Sequence, residues 1–245
     1  MIRTDDKNEV YIVPAGEEFI SFATARLAEK ISSAIGNRGI CTIALAGGST
    51  PKPVYQKLAE EDLPWARVHF FWGDERYVPP THPESNQKMA REALLTHISI
   101  PPDNIHPMPT DGNNPVEDAA RYEQHLLDFF KMTSGFPSFD IVLLGMGEDG
   151  HTASLFPHTP ALTVEDRLVT VGNRGDSVRL TFTVPLINHS RCVIFLVAGE
   201  NKQKALKAVF SPDTDSDEYP AKKIKPEGNL IWIIDKMAGE VLNAL

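Results

Sequence analysis

Cysteine is scarce: Cys41 and Cys192 are the only two in 245 residues, both within apolar strand-like runs and without Cys-x-x-Cys spacing. Buried free thiols in a reducing cytoplasm are therefore expected rather than a disulfide or thiolate metal site. Long hydrophobic runs are missing too. No stretch approaches the ~18 consecutive apolar residues of a membrane helix. Polar residues 1–9 lack the apolar centre of a signal peptide, so a soluble, unexported protein with no membrane partner is expected. Positive charge is outweighed, 24 Lys and Arg against 33 Asp and Glu, net -9. That balance argues against a general nucleic-acid surface and leaves room for a small basic pocket inside an acidic protein. The histidines show no His-Glu-x-x-His spacing, so neither a metal nor a cofactor is expected.

What is present suits an α/β enzyme. Apolar residues make up 42% of the chain, enough for a sizeable core. With no internal repeat, low-complexity tract or long linker, the sequence reads as one domain over 1–245. Apolar patterning predicts strands over 10–13, 40–46, 68–72, 139–144, 168–171, 178–184, 191–197 and 230–234. Helices are predicted over 17–35, stopped by Gly36 and Gly39, from Pro51 through Leu58, over 84–95, 116–131 and 202–210, and after the last strand. The acidic residues 211–219 read as a mobile solvated loop. Alternating strands and helices of this kind imply a three-layer αβα sandwich with a mainly parallel, Rossmann-like sheet. Ligands of such sheets bind beyond the carboxyl ends of the strands.

Three loops fall at those ends. The richest follows Leu144 and packs Gly145, Gly147, Glu148, Asp149, Gly150 and His151 into residues 145–151. The glycines permit a sharp turn, residues 152–156 read as the start of a short helix, and His151 is placed on the sheet rim with Glu148 and Asp149 near enough to orient it. A solvated histidine on a plain connection is the alternative; so dense a cluster favours chemistry. Gly47-Gly48-Ser49-Thr50 can point backbone N–H groups at an anion before the helix begun by Pro51, or simply cap that helix. It is neither a Walker loop nor a dinucleotide fingerprint. Asp74-Glu75-Arg76 follows the strand ending at Trp72, and Arg76 can hold a phosphate or an oxyanion, or merely pair with a surface carboxylate. Arg179 and Lys204 can complete an anionic pocket, or flank an exposed strand and a solvated helix. Phe70, Phe71 and Trp72 are expected in the core.

In order along the chain, Ala46-Gly47-Gly48-Ser49-Thr50-Pro51, Phe71-Trp72-Gly73-Asp74-Glu75-Arg76-Tyr77-Val78-Pro79, Ser85-Asn86, the 147–157 block, Arg179-Leu180-Thr181 and Lys204-Ala205 resemble the 6-phosphogluconolactonases. The resemblance covers nearly the whole sequence. It implies hydrolysis of 6-phosphoglucono-1,5-lactone to 6-phosphogluconate in the oxidative pentose phosphate pathway. Glucosamine-6-phosphate deaminases share the fold and an Asp-Gly-His signature, but there the histidine precedes Ile/Ala-Phe-Asn-Glu-Pro. Here Phe156 replaces that glutamate and Arg76 stands where deaminases usually have tyrosine.

Opening a lactone needs an activated water, a stabilised oxyanion and a proton for the departing ring oxygen. One histidine can serve both proton transfers near neutral pH. His151 is accordingly read as base and acid, Asp149 or Glu148 as its orienting carboxylate, and Arg76 as the partner of phosphate and transition-state charge. Ser49, Arg179 and Lys204 are read as phosphate anchors, and Asp74 as a further catalytic candidate. The expected partner is a small sugar-phosphate lactone. The alternatives are a glucosamine-6-phosphate deaminase/isomerase and a non-enzymatic sugar-phosphate sensor; a sensor of this kind would be expected to carry a helix-turn-helix segment.

Overall fold

The computed structural model describes residues 2–3 and 7–244, so the polar segment over 1–9 lies partly outside the described residues. In chain order the strands and helices are β1 (Ile2–Arg3), β2 (Asn8–Val13), α1 (Glu17–Arg38), β3 (Cys41–Leu45), α2 (Pro51–Leu58), β4 (Val68–Trp72), β5 (Asp74–Arg76), α3 (Asn86–Ala93), α4 (Pro115–Phe130) and β6 (Ile141–Leu144). They continue with β7 (Val169–Arg174), β8 (Ser177–Phe182), α5 (Val184–Asn188), β9 (Cys192–Val197), α6 (Gln203–Phe210), β10 (Asn229–Asp235) and α7 (Lys236–Gly239).

Seven strands form one sheet in the order β1-β2-β10-β9-β6-β3-β4. β1 is antiparallel to β2, and every other neighbouring pair is parallel. Every position of β3, β6 and β9 is buried, which is why these strands read as unbroken apolar runs rather than as alternation. α1 turns Phe19, Ala23, Leu27 and Ile31 inward at helical spacing. It passes through Gly36 and stops at Gly39, whose left-handed backbone (φ 82°) lets its N–H bond Ile35 O. Both cysteines are buried and free, and burial pushes both thiols up, away from reactivity.

The chain builds outward from β3 to β4, then returns to place β6 on the other side of β3. The switch point therefore lies between β3 and β6, where ligands of such sheets bind. Asp140 ties the opposite ends of these strands: its carboxylate accepts from Thr42 N at 2.8 Å and pairs with Arg38 Nε at 2.5 Å.

Three local expectations are corrected. The 168–171 and 178–184 strands do not join the main sheet; β7 and β8 form a separate antiparallel sheet with β5, in the order β5-β8-β7. β8 ends at Phe182, because the Thr183 hydroxyl accepts from Leu186 N and caps α5. Residues 152–156 form no helix. Thr152 Oγ1 donates to Gly145 O at 2.8 Å, Ser154 N donates to Thr181 Oγ1 at 3.2 Å and Ala153 takes φ 48°, so side-chain bonds bend this segment into a tight turn. Residues 211–219 are not a free loop either. Lys222 Nζ donates to Pro212 O at 3.1 Å and Thr214 O at 2.6 Å, and Asp217 pairs with Lys223 at 2.5 Å.

Beside β4 three histidines form a chain away from the loops: His69 Nδ1 lies 3.1 Å from His106 Nε2, and His106 Nδ1 lies 2.9 Å from His125 Nε2. The His106 ring stacks on Phe71 at 4.3 Å. Burial, reinforced by His125 and His69, pushes the His106 imidazole down to about 4, against an ordinary 6.5. The unfolded chain thus gains a proton as pH falls through 6.5, which the folded protein refuses until about 4. Stability should be full above that window and fall across it, by at most about 3 kcal/mol from this group. Urea unfolding at pH 7.5 and 4.5 tests this; His106→Gln should flatten the slope, and an unchanged slope would refute the assignment.

Candidate active site

The exits of β9, β6, β3 and β4, four consecutive strands of the sheet, enclose a cavity of about 340 Å³. Gly47 to Thr50 come from the β3 exit, Asp74 and Arg76 from β5 just after β4, Gly145 to His151 from the β6 exit, and Asn201 with Lys202 from the turn after β9. Arg179 enters from β8.

His151 is held by its own loop. Its Nδ1 lies 2.5 Å from Asp149 Oδ1, which also accepts the His151 backbone N–H at 3.1 Å. With Nδ1 engaged by a carboxylate, Nε2 is the nitrogen left to exchange a proton. Partial burial alone would raise the Asp149 carboxyl, but hydrogen bonds from His151 and the charge of its ring hold it down to about 2. Phe156 packs against the imidazole, ring centroids 4.5 Å apart. Gly147 has to be glycine, because a Cβ there would stand 2.0 Å from His151 Nδ1. Gly150 (φ 77°) lies against Tyr219, and its carbonyl accepts from Ala221 N at 2.8 Å, so the 211–219 segment braces this loop.

On the other wall the β5–β8 register sets Arg76 directly opposite Arg179. Like charges across a strand pair repel. Burial first, then repulsion from Arg76 and Arg174, pulls the Arg179 guanidinium below its ordinary value, with Asp74 and Glu84 opposing. The Nε atoms of Arg76 and Arg179 are both buried without a hydrogen-bond partner. Two cornered guanidinium groups with unspent donors favour a dianionic ligand. Asp74 lines the same cavity, its Oδ2 accepting from Ser154 Oγ at 2.7 Å.

The Gly47 turn faces the same cavity. Gly48 takes φ 100°, and Thr50, at the helix boundary, makes no side-chain cap bond to α2. The Thr50 hydroxyl is thus not committed to capping. Buried Tyr55 clamps the turn from below: its Oη accepts from Ala46 N at 3.0 Å and donates to Ala46 O at 2.8 Å.

The sequence-predicted residues Gly47, Gly48, Ser49, Thr50, Asp74, Arg76, His151 and Arg179 all line this one cavity, with Asp149 directly behind His151. Two do not converge as expected. Glu148 does not reach His151 but accepts from Asn201 Nδ2 at 2.6 Å, latching the β6 exit to the β9 exit. Lys204 is exposed on α6 and outside the cavity lining, whereas Lys202 lines it. α6 begins at Gln203, so Lys202 belongs to the turn at the strand exit and Lys204 to the helix beyond. Among the described residues no group of three or more His, Cys, Asp or Glu is arranged to hold a metal ion.

A family model described as glucosamine-6-phosphate isomerases/6-phosphogluconolactonase matches residues 14–232. The chain belongs to this isomerase/lactonase family. It is 59% identical over 214 residues to a 6-phosphogluconolactonase of Synechocystis sp., covering 87% of this chain and 89% of that one. A Nostoc sp. 6-phosphogluconolactonase is 52% identical over 238 residues, covering 97% and 99%. The solved structure of 6-phosphogluconolactonase from Trypanosoma cruzi superposes with a TM-score of 0.86 at 33% identity, covering 98% of each chain.

Several residues of this lactonase-like site carried no role in the sequence reading. Lys202 was discoverable, because Gly199 marks the end of β9 and the next residues must lie on the ligand-binding rim. The Tyr55 ring is buried under α2, and its hydroxyl bonds to Ala46 gave no separable sequence signal. Ser154 and Asn86 act through contacts to Asp74 made across the fold.

Proposed function

We propose that this chain is a cytoplasmic hydrolase, working as one domain, that converts 6-phosphoglucono-1,5-lactone to 6-phosphogluconate. The observation that carries this reading is a carboxylate-oriented histidine and two opposed, under-satisfied arginines lining one cavity. His151 Nε2 takes a proton as a water oxygen attacks C1, and Arg76 meets the negative charge that develops on the carbonyl oxygen. Collapse of the tetrahedral intermediate breaks the bond from C1 to the ring oxygen, which receives the proton back from His151. Arg179, Lys202 and the Gly47 turn anchor the phosphate. The second wall of the histidine is the apolar Phe156, at the position where the deaminase signature carries a glutamate, which favours lactone opening over isomerisation.

Enzyme added to freshly generated phosphorylated lactone should exceed the spontaneous rate, with a higher kcat/KM than for glucono-1,5-lactone. Equal specificity constants would refute the phosphate site, and a rate no faster than the blank would refute the activity. Ammonia release from glucosamine 6-phosphate would instead support the deaminase. Lys202→Ala should raise KM about 10- to 100-fold with far less effect on kcat. Lys204→Ala should stay near wild type, and the reverse ranking would move the phosphate site.

A further inference from the structure

Asn86 opens α3 and is buried, and its amide meets opposite charges at its two ends. Oδ1 accepts from Arg76 Nη1 at 2.6 Å, while Nδ2 donates to the Asp74 carbonyl at 2.9 Å and to Asp74 Oδ1 at 3.3 Å. Its backbone N–H donates to Glu75 Oε1 at 2.7 Å, so the residue is held from the main chain as well. The Gly47 turn lies directly on this amide: a Cβ at Gly47 would fall 1.8 Å from Asn86 Oδ1.

We infer that Asn86 is a positioning residue, which sets Arg76, Asp74 and the Gly47 turn in one fixed arrangement through a single neutral side chain. The inference rests on the lactonase reading of the site. A bridge between a guanidinium and a carboxylate needs an acceptor at one end and a donor at the other, and an amide has both. A carboxylate in its place would keep Arg76 and repel Asp74; an alkyl group would release both. Ser154 holds the second oxygen of Asp74, so the carboxylate is fixed from two sides and its direction, rather than its presence alone, is specified.

Asn86→Asp and Asn86→Ala separate positioning from simple filling of space. Asn86→Asp retains the acceptor for Arg76 but adds a negative charge beside it, so affinity for 6-phosphogluconate by calorimetry should fall far less than kcat for the lactone, which falls about 10- to 100-fold. Lowering the pH should narrow that gap, because a proton on the introduced carboxyl, favoured by the neighbouring Asp74 and Glu75 and opposed by Arg76, restores a donor toward Asp74. Asn86→Ala should weaken product binding and lower kcat together. Thermal unfolding establishes which variants are folded, and either folded variant decides if the other is not. Wild-type kcat in a folded variant, or a loss in Asn86→Asp that is the same at every pH and shared equally by binding, would overturn the assignment. A wild-type protein no faster than spontaneous hydrolysis overturns the lactonase reading, and this role with it.

Discussion

His151→Ala should fold as the wild type does and lose about 100- to 10,000-fold in kcat, the range over which a positioned acid-base group contributes. The ring packs on Phe156 at the cavity wall rather than in the apolar core, so its removal leaves the sheet untouched. Among the described residues no second histidine lines the cavity to replace it. Because the substrate also opens without enzyme, rates must be read after subtraction of that background. Affinity for 6-phosphogluconate should change little, since the anchoring cations lie on other loops. A folded variant with near-wild-type kcat would pass the water-activating role to Asp74.

Asp149→Asn should cost about 10- to 1,000-fold in kcat with KM nearly unchanged. An amide can present N–H to Nδ1 as readily as oxygen, so the ring loses both its fixed tautomer and the negative charge that stabilises it once protonated. The wild-type carboxyl, held at about 2, stays ionised throughout the neutral range and gives up its charge only as pH falls well below the ordinary 3.8. Its contribution is therefore complete above that ordinary value and disappears toward pH 2, so any decline in rate between pH 5 and 7 does not belong to Asp149. Unaltered turnover in Asp149→Asn would mean that the loop backbone alone orients the imidazole. Glu148→Gln supplies the contrast: its contact is with Asn201, and the variant should leave the proton transfers intact.

The parallel sheet and the loops that carry the site were legible because the signals are local. β3, β6 and β9 are buried on both faces and announce themselves as unbroken apolar runs, each followed by glycine at or near the exit. Asp149 and His151 share a turn, so their bond could be anticipated from spacing. Contacts made across the fold could not. Whether Asp74-Glu75-Arg76 is a loose rim or a strand depends on β8, far away in sequence, and only that pairing sets Arg76 against Arg179. Residues 152–156 have a plausible helical start, yet Ser154 is drawn to Asp74 and Thr181 by bonds that outweigh propensity. The choice of Lys202 over Lys204 turns on where α6 begins, a boundary that composition blurs.

The cavity draws on the exits of strands from early, middle and late parts of the chain, and its two arginines meet only after β5 finds β8. Such pairings close long loops and form slowly. A nascent or refolding chain can therefore possess the histidine turn, a purely local structure, well before it possesses an anion site. Regain of catalysis after dilution from denaturant should lag behind regain of helix, and its rate reports the last long-range strand pairing rather than collapse of the core.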